Sequence, residues 1–201
     1  KKDCNHLLDK SSWGDMVWHQ EGDFYYYGVF GADMPDLNYN NPEVRQAAKD
    51  AAGHWLELGL DGFRMDAAVH IYGAHEFKQQ EDSEAANITW WNEFAGYCES
   101  INPDVYLVGE VWQDDKVLEN YVQPFDTKFD FAIQQKILNC VQKGMAVPVF
   151  CDSLSVAIEN IQNKYDGVDV NYLNGVFGAN HDQDRIASSV NSLDKARQIA
   201  A

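Results

Sequence analysis

The sequence predicts an α/β fold of parallel strands and helices, part of a (β/α)8 barrel. Three observations predict it. Short apolar runs alternate with amphipathic helical stretches, which is the pattern of parallel β/α units. Three of those runs end in an acid: Asp66 after Gly62-Phe63-Arg64-Met65, Glu110 after Val105–Gly109, and Asp182 after Val176-Phe177-Gly178-Ala179-Asn180-His181. Carboxylates at the C-terminal ends of parallel strands converge on one mouth of an α/β barrel, where such folds keep their chemistry.

The elements are justified in order. Residues 1–40 are aromatic and punctuated by glycines and Pro35, so a loop-rich excursion is predicted. Asn41-Pro42-Glu43 then reads as cap, first helical position and first-turn acid. Val44, Ala47, Ala48, Ala51, Trp55 and Leu58 recur at helical spacing, which predicts a helix buried along that face and ended by Gly59. Phe63–Ala68 follows as a short buried strand. Residues 72–86 are polar and read as loop. A second amphipathic helix is predicted over 88–100, with Trp91, Phe94, Ala95 and Cys98 inward. Asn102-Pro103-Asp104 is a turn, and Val105–Val111 is the clearest strand. Further strands are predicted at Lys128–Ile133 and Val176–Ala179, and further helices over 134–143, Ser153–Tyr165 and 185–200.

Only about four β/α units are visible, whereas a closed barrel needs eight. A half barrel leaves strand edges unpaired. The residues are therefore expected to be cut from a longer protein, the chain stopping within a helix at Ala200-Ala201.

Composition narrows the function. A formal net charge of -17 repels nucleic acid and anionic membrane surfaces, so neither is an expected partner, but it does not repel a neutral glucan. No run is long enough to span a bilayer. Lys1-Lys2-Asp3-Cys4 does not read as a signal peptide. The compartment stays open, with an extracellular or cell-surface place favoured over the cytoplasm and any signal placed upstream of Lys1. Cys4, Cys98, Cys140 and Cys151 form no CxxC pair; free buried thiols are expected, with one bridge left open.

Cleaving a glycosidic bond needs a carboxylate nucleophile and a carboxylic acid that protonates the leaving oxygen. Alone, an Asp at a strand end is most often a helix cap or a solvated loop residue. Three such motifs together support a sugar-cleaving site. Arg64, two residues before Asp66, shares its strand face and would keep that carboxylate ionised and oriented. Trp90-Trp91 and Tyr25-Tyr26-Tyr27 are candidate sugar-stacking platforms, with Trp91 expected in the core instead. Asn87-Ile88-Thr89 matches a glycosylation sequon, and a helix cap is the expected role for Asn87.

The motifs Gly62–His70, Gly109-Glu110-Val111-Trp112 and Phe177–Asp182 resemble three of the four signature regions of the alpha-amylase family, glycoside hydrolase family 13. Met34-Pro35-Asp36-Leu37-Asn38 resembles a further signature in that family's small domain B. The order fits, with 44 residues from Asp66 to Glu110 and 72 from Glu110 to Asp182. The resemblance implies about strands 4–7 of a TIM barrel (41–201) preceded by the end of domain B (1–40).

It also implies a retaining hydrolase of α-1,4-linked glucans. Asp66 is then the nucleophile, Glu110 the general acid and base, and Asp182 the carboxylate that stabilises the transition state. Arg64, His70 and His181 would contact Asp66 or the sugar. Neighbouring acid charges are expected to raise the Glu110 pKa. The family needs no cofactor for the chemistry. In typical members a structural calcium takes an Asp at the position of Asp36 and the carbonyl of the His at the position of His70. Two departures bear on specificity: Val69 stands where many members have Lys, and Ala67 stands where α-1,6-cleaving relatives often have Val. The implied alternatives are an α-1,6-glucosidase, a cyclomaltodextrinase or neopullulanase, and a non-catalytic member.

Overall fold

The computed structural model describes residues 7–73, 80–113, 115–143, 147–169 and 171–200. Cys4, the opening lysines, the predicted loop over 74–79 and Ala201 lie outside the described residues. The chain divides into two compact units, one of Lys1–Asp61 with Val69–Asp104 and one of Gly62–Ala68 with Val105–Ala201.

The first unit holds a hairpin and two helices. Strands β1 (Trp18–Glu21) and β2 (Phe24–Tyr27) pair antiparallel, from Trp18↔Tyr27 to Glu21↔Phe24. The loop-rich reading of 1–40 missed them. The available signal was the two-residue Gly22-Asp23 connection, a hairpin loop hidden by four-residue strands without clear alternation.

Helix α1 (Pro42–Glu57) starts as predicted: Asn41 Oδ1 accepts from Glu43 N at 3.0 Å. It stops where Gly59, at φ +96, bonds back to Leu56 O, a left-handed turn that glycine adopts without cost. Its buried face is not the predicted one. Ala52, Gly53 and Leu56 are inward, while Trp55 (51%) and Leu58 (65%) are exposed. Periodicity found the helix but not its partner. At Gly53 an added Cβ would lie 2.7 Å from Tyr97 Oη, so the second helix selects the face that lacks a side chain.

That helix, α2, runs from Gln80 to Ile101, with Trp91, Phe94, Ala95 and Cys98 buried as predicted. It begins well before residue 88. The polar stretch read as loop is rich in Gln, Glu and Ala, which are good helix formers. Lys49 and Arg45 of α1 meet Glu93 of α2 at 2.7 and 3.5 Å.

The second unit holds a four-stranded parallel sheet in the order β3 (Gly62–Met65), β4 (Tyr106–Gly109), β5 (Thr127–Phe129), β6 (Leu173–Gly175). Neighbours in sequence are neighbours in the sheet, as in a stretch of (β/α)8 barrel. Helices α3 (Asp115–Asn120), α4 (Phe131–Gln142), α5 (Val147–Asp166), α6 (Ile186–Val190) and α7 (Leu193–Ala200) lie between and after the strands in sequence.

Several boundaries differ from expectation: β3 ends at Met65, not Ala68, and α5 starts at Val147, not Ser153. The third predicted strand ends at Phe129 because Asp130 turns to cap α4, its Oδ1 accepting from Ile133 N at 2.8 Å. The fourth strand is Leu173–Gly175 instead of Val176–Ala179: Asn174 bonds Asp130 at 2.6 Å, and Phe177 packs on Phe129 and Phe131. The last helix is broken at Asn191, which sits at φ 50, a left-handed position that asparagine tolerates. No described helix is long and apolar enough to cross a membrane. Cys98 and Cys140 are free and buried, and burial pushes the Cys98 thiol up to about 11.

The core of this unit contains a cation. Lys128 is 1% exposed, its Nζ has no hydrogen-bond partner, and it sits 4.3 Å from the ring centres of both Tyr165 and Tyr172. Burial, opposed by Asp130 and Glu119 and aided by Lys164, pushes its pKa down from 10.5 to about 7. Between those values the unfolded chain holds a proton that the folded one lacks. Stability therefore rises with pH across that window, by at most about 1.4 kcal/mol per pH unit. The Tyr172 phenol, raised by burial, reverses the trend above its ordinary value of 10. The melting temperature should climb from pH 7 to 9, and Lys128→Met should raise it at pH 7 and flatten the slope. Equal slopes in both proteins would mean that the amine is solvated.

Candidate active site

Strands β3 and β4 run side by side, with Arg64 opposite Val108 and Met65 opposite Gly109. The pairing continues past the strand ends. Glu110 N donates to Met65 O at 2.9 Å, and Ala68 N donates to Glu110 O at 3.1 Å. The turn that carries Asp66 is thereby held against Glu110.

One guanidinium joins the two acids. Arg64 Nη1 lies 2.6 Å from Asp66 Oδ1, and Nη2 lies 2.9 Å from Glu110 Oε1. Partial burial weakens the Arg64 charge, but the bonds and charges of Asp66 and Glu110 outweigh it and raise its pKa above the ordinary arginine value. The two contacts differ in weight. The Asp66 side chain is 73% exposed and that of Glu110 only 10%. Water screens the first pair, so it orients more than it stabilises. The second works in a drier setting and anchors the arginine.

The other oxygen of Glu110 is held as well. Ala67 N donates to Glu110 Oε2 at 3.2 Å, from a backbone at φ 44, in the left-handed region that non-glycine residues seldom occupy. The reading of the sequence missed this donor, and no signal could have revealed it, since any residue but proline has an N–H. The arrangement presents an open carboxylate and a sheltered one on a shared cation. To protonate a leaving oxygen, Glu110 must turn one oxygen away from these donors.

Asp182 stands on the segment after β6. Its N–H bonds Asn180 Oδ1 at 3.1 Å, and its Oδ2 lies 3.2 Å from His181 Nε2. Both side chains are exposed. Among the described residues no hydrogen bond or ion pair links Asp182 to Arg64, Asp66 or Glu110. An aromatic chain runs between the two regions instead. Trp112, two residues past Glu110, stacks on Phe131 at 4.5 Å, and Phe131 meets Phe177 edge-on at 5.0 Å.

His70 and Asp36 belong to the other unit. His70 ends a 3-10 turn, Ala68–His70, edge-on to Trp13 and Phe30, and burial lowers its pKa. Asp36 Oδ2 accepts from Val29 N at 2.8 Å, and burial raises its pKa despite that bond. Both line a cavity of about 410 Å³, with Trp18, Tyr25, Asn38 and Asn40. Calcium takes six to eight oxygens, usually including several carboxylates. Among the described residues Asp36 is the one acidic side chain in this lining, and they contain no cluster of three His, Cys, Asp or Glu. These residues alone do not fit a calcium ion.

The expectations for Trp90 and Asn87 change, while Trp91 is in the core as expected. Trp90 and Trp91 are both buried, packed with Phe94 and, for Trp90, Tyr39, so neither is a sugar platform. Asn87 caps nothing: it lies inside α2, 2% exposed, accepting from Tyr72 N at 2.8 Å and donating to Val69 O at 2.9 Å. A side chain bonded in this way offers no glycosylation acceptor.

Comparison with known proteins matches residues 4–201 to the family "Alpha amylase, catalytic domain". Alpha-amylase 3 of Dictyoglomus thermophilum is 37% identical over 191 residues, 94% of this chain and 35% of that protein. A 4-alpha-glucanotransferase of Thermotoga neapolitana is 31% identical over 193 residues, 95% of this chain and 38% of that protein. Among solved structures, an alpha-amylase from H. orenii superposes with a TM-score of 0.78 at 35% identity, covering 96% of this chain and 38% of that one. The chain thus spans little more than a third of the length of these relatives.

The two-pronged contact of Arg64 makes a testable claim. Arg64→Lys keeps the charge but cannot reach both carboxylates in one plane. In the full-length protein it should lower kcat by about a hundredfold, since small displacements of reacting groups cost that much. Circular dichroism should show an unchanged fold. Turnover within a few-fold of the parent would mean that charge alone suffices.

Proposed function

Because the chain belongs to the alpha-amylase catalytic-domain family, glycoside hydrolase family 13, we propose that it carries the reaction centre of a retaining enzyme that cleaves α-1,4-glucosidic bonds in maltooligosaccharides or starch-like glucans. The observation that carries this reading is the Arg64 bridge between an exposed Asp66 and a sheltered Glu110 at the ends of adjacent parallel strands. Retaining cleavage wants the two carboxyls about 5–5.5 Å apart. A single guanidinium is the right size to hold such a pair.

In this reading Asp66 attacks the anomeric carbon and forms a glycosyl ester while Glu110 protonates the departing oxygen. Glu110 then takes a proton from water, which breaks the ester and returns the α configuration. Asp182 holds sugar hydroxyls as positive charge develops on the ring, and His181 and His70 donate to hydroxyls. Residues 1–40 are the end of domain B, and 41–201 are about strands 4–7 of the barrel. A structural calcium belongs to the proposal only if residues beyond those described complete the Asp36 cavity.

The relatives favour a second reading of the acceptor. One is a 4-alpha-glucanotransferase, and the same ester can be opened by a sugar hydroxyl instead of water. The three acids argue against a non-catalytic member. Ala67 leans towards α-1,4 over α-1,6 bonds, and Val69 leaves the leaving-group side without a cation.

Asp66→Asn, Glu110→Gln and Asp182→Asn should each reduce kcat by several orders of magnitude with the fold intact. Near-parental turnover would remove that residue from its role. NMR of the first product should show the α-anomer; a β-anomer refutes retention. Added maltose should divert product into longer chains if transfer competes with hydrolysis. Faster cleavage of isomaltose than of maltotriose would replace the α-1,4 assignment with the α-1,6 one. Val69→Lys should lower KM for long chains, as one charged hydrogen bond adds about 1.5–3 kcal/mol.

A further inference from the structure

Asp182 makes no hydrogen bond or ion pair with the Arg64 cluster, so something else must set its position. The segment that carries it leaves the sheet at Gly175 and runs irregularly to Arg185. Ladder hydrogen bonds do not hold it. Phe177 packs on Phe129 and Phe131 at its start, but its polar side chains do little nearer Asp182: Asn180 Oδ1 closes a local turn onto Asp182 N, while Asn180 Nδ2 and Gln183 Oε1 are buried without partners among the described residues.

One side chain from outside the segment grips it on both flanks of Asp182. Gln134, in the first turn of α4 and 2% exposed, donates through Nε2 to Gly178 O at 2.9 Å. Its Oε1 accepts from Gln183 Nε2 at 3.4 Å. Gln134 is itself fixed. Its N–H bonds Asp130 O at 3.1 Å, and Asp130 caps the helix and bonds Asn174 of β6. Gly178 also lets the segment pack closely on α6, since an added Cβ there would lie 2.8 Å from Ile186 Cδ1. A buried amide with both ends engaged is costly to replace and directional in what it holds.

We infer that Gln134 is the positioning residue for Asp182: its one amide clamps Gly178 and Gln183 and so fixes where the third carboxylate stands. This rests on the proposed role of Asp182 in the transition state. A group that matters in the transition state should, when displaced, lower kcat more than it raises KM.

The test compares Gln134→Leu, Gln134→Glu, Asp182→Asn and the Gln134→Leu/Asp182→Asn double variant in the full-length protein on maltotriose. Gln134→Leu should lower kcat by about tenfold to a hundredfold, the scale expected for an ångström of misplacement. KM should change by less than about threefold, as for an interaction made in the transition state. The double variant should be no slower than Asp182→Asn alone. Gln134→Glu keeps the shape and the acceptor but loses the donor until its new carboxyl is protonated. Its activity relative to the parent should therefore recover as pH falls, and this variant decides the matter if Gln134→Leu does not fold. A flat ratio with pH, multiplicative losses in the double variant, or a lower melting temperature with parental kcat would each overturn the inference. Parental turnover in Asp182→Asn would instead remove the role of Asp182 and this inference with it.

Discussion

The arrangement of the candidate site depends on a single bridging cation. Arg64 reaches two carboxylates only because β3 and β4 are parallel neighbours in a fixed register, with their pairing carried past the strand ends by Glu110 N and Ala68 N. A one-residue slip would send Arg64 to the opposite face of the sheet. The clamp is unequal by design of burial. Glu110 is enclosed and tied through both oxygens, whereas Asp66 is open to solvent on one oxygen contact. An attacking group must be reachable, and a proton donor works best when water is kept away. The difference in exposure supports the division of labour proposed for Asp66 and Glu110.

The third carboxylate is held by separate means. Among the described residues nothing ionic ties it to the pair. The aromatic chain Trp112–Phe131–Phe177 and the amide of Gln134 both issue from the start of α4 or converge on it. That first turn of helix therefore supports residues after β4 and after β6 alike. Chemistry on loops needs rigid supports behind them. Here the support consists of one capped helix end: Asp130 binds Ile133 N on one side and Asn174 on the other.

Lys128 shows that the same unit tolerates a local conflict. Two tyrosine faces substitute for the hydrogen bonds a buried ammonium would normally require, and its depressed pKa reports that they do so incompletely. The residue sits on β5 one position before Phe129 and two before Asp130, so the strain lies close to the support of the site without touching it.

The sequence by itself determined the class of fold and the family, and it singled out the three acids of the proposed reaction. Those depend on local features: apolar runs, the Asn41-Pro42 start, Gly59, and short motifs whose residue types the chemistry demands. Tertiary structure alone decided which face of α1 is buried, because Gly53 matters only once Tyr97 approaches it. It alone put Leu173–Gly175, not the more apolar Val176–Ala179, into the sheet, because Phe177 found aromatic partners far away in sequence. It alone placed Asn87 inside a helix, bonded to Val69 and Tyr72. The N–H of Ala67 and the amide of Gln134 leave no sequence mark either. A main-chain donor is present at nearly every residue, and a glutamine on a helix looks like surface. Each acquires its role only when residues more than 40 positions away in the chain come within hydrogen-bonding distance.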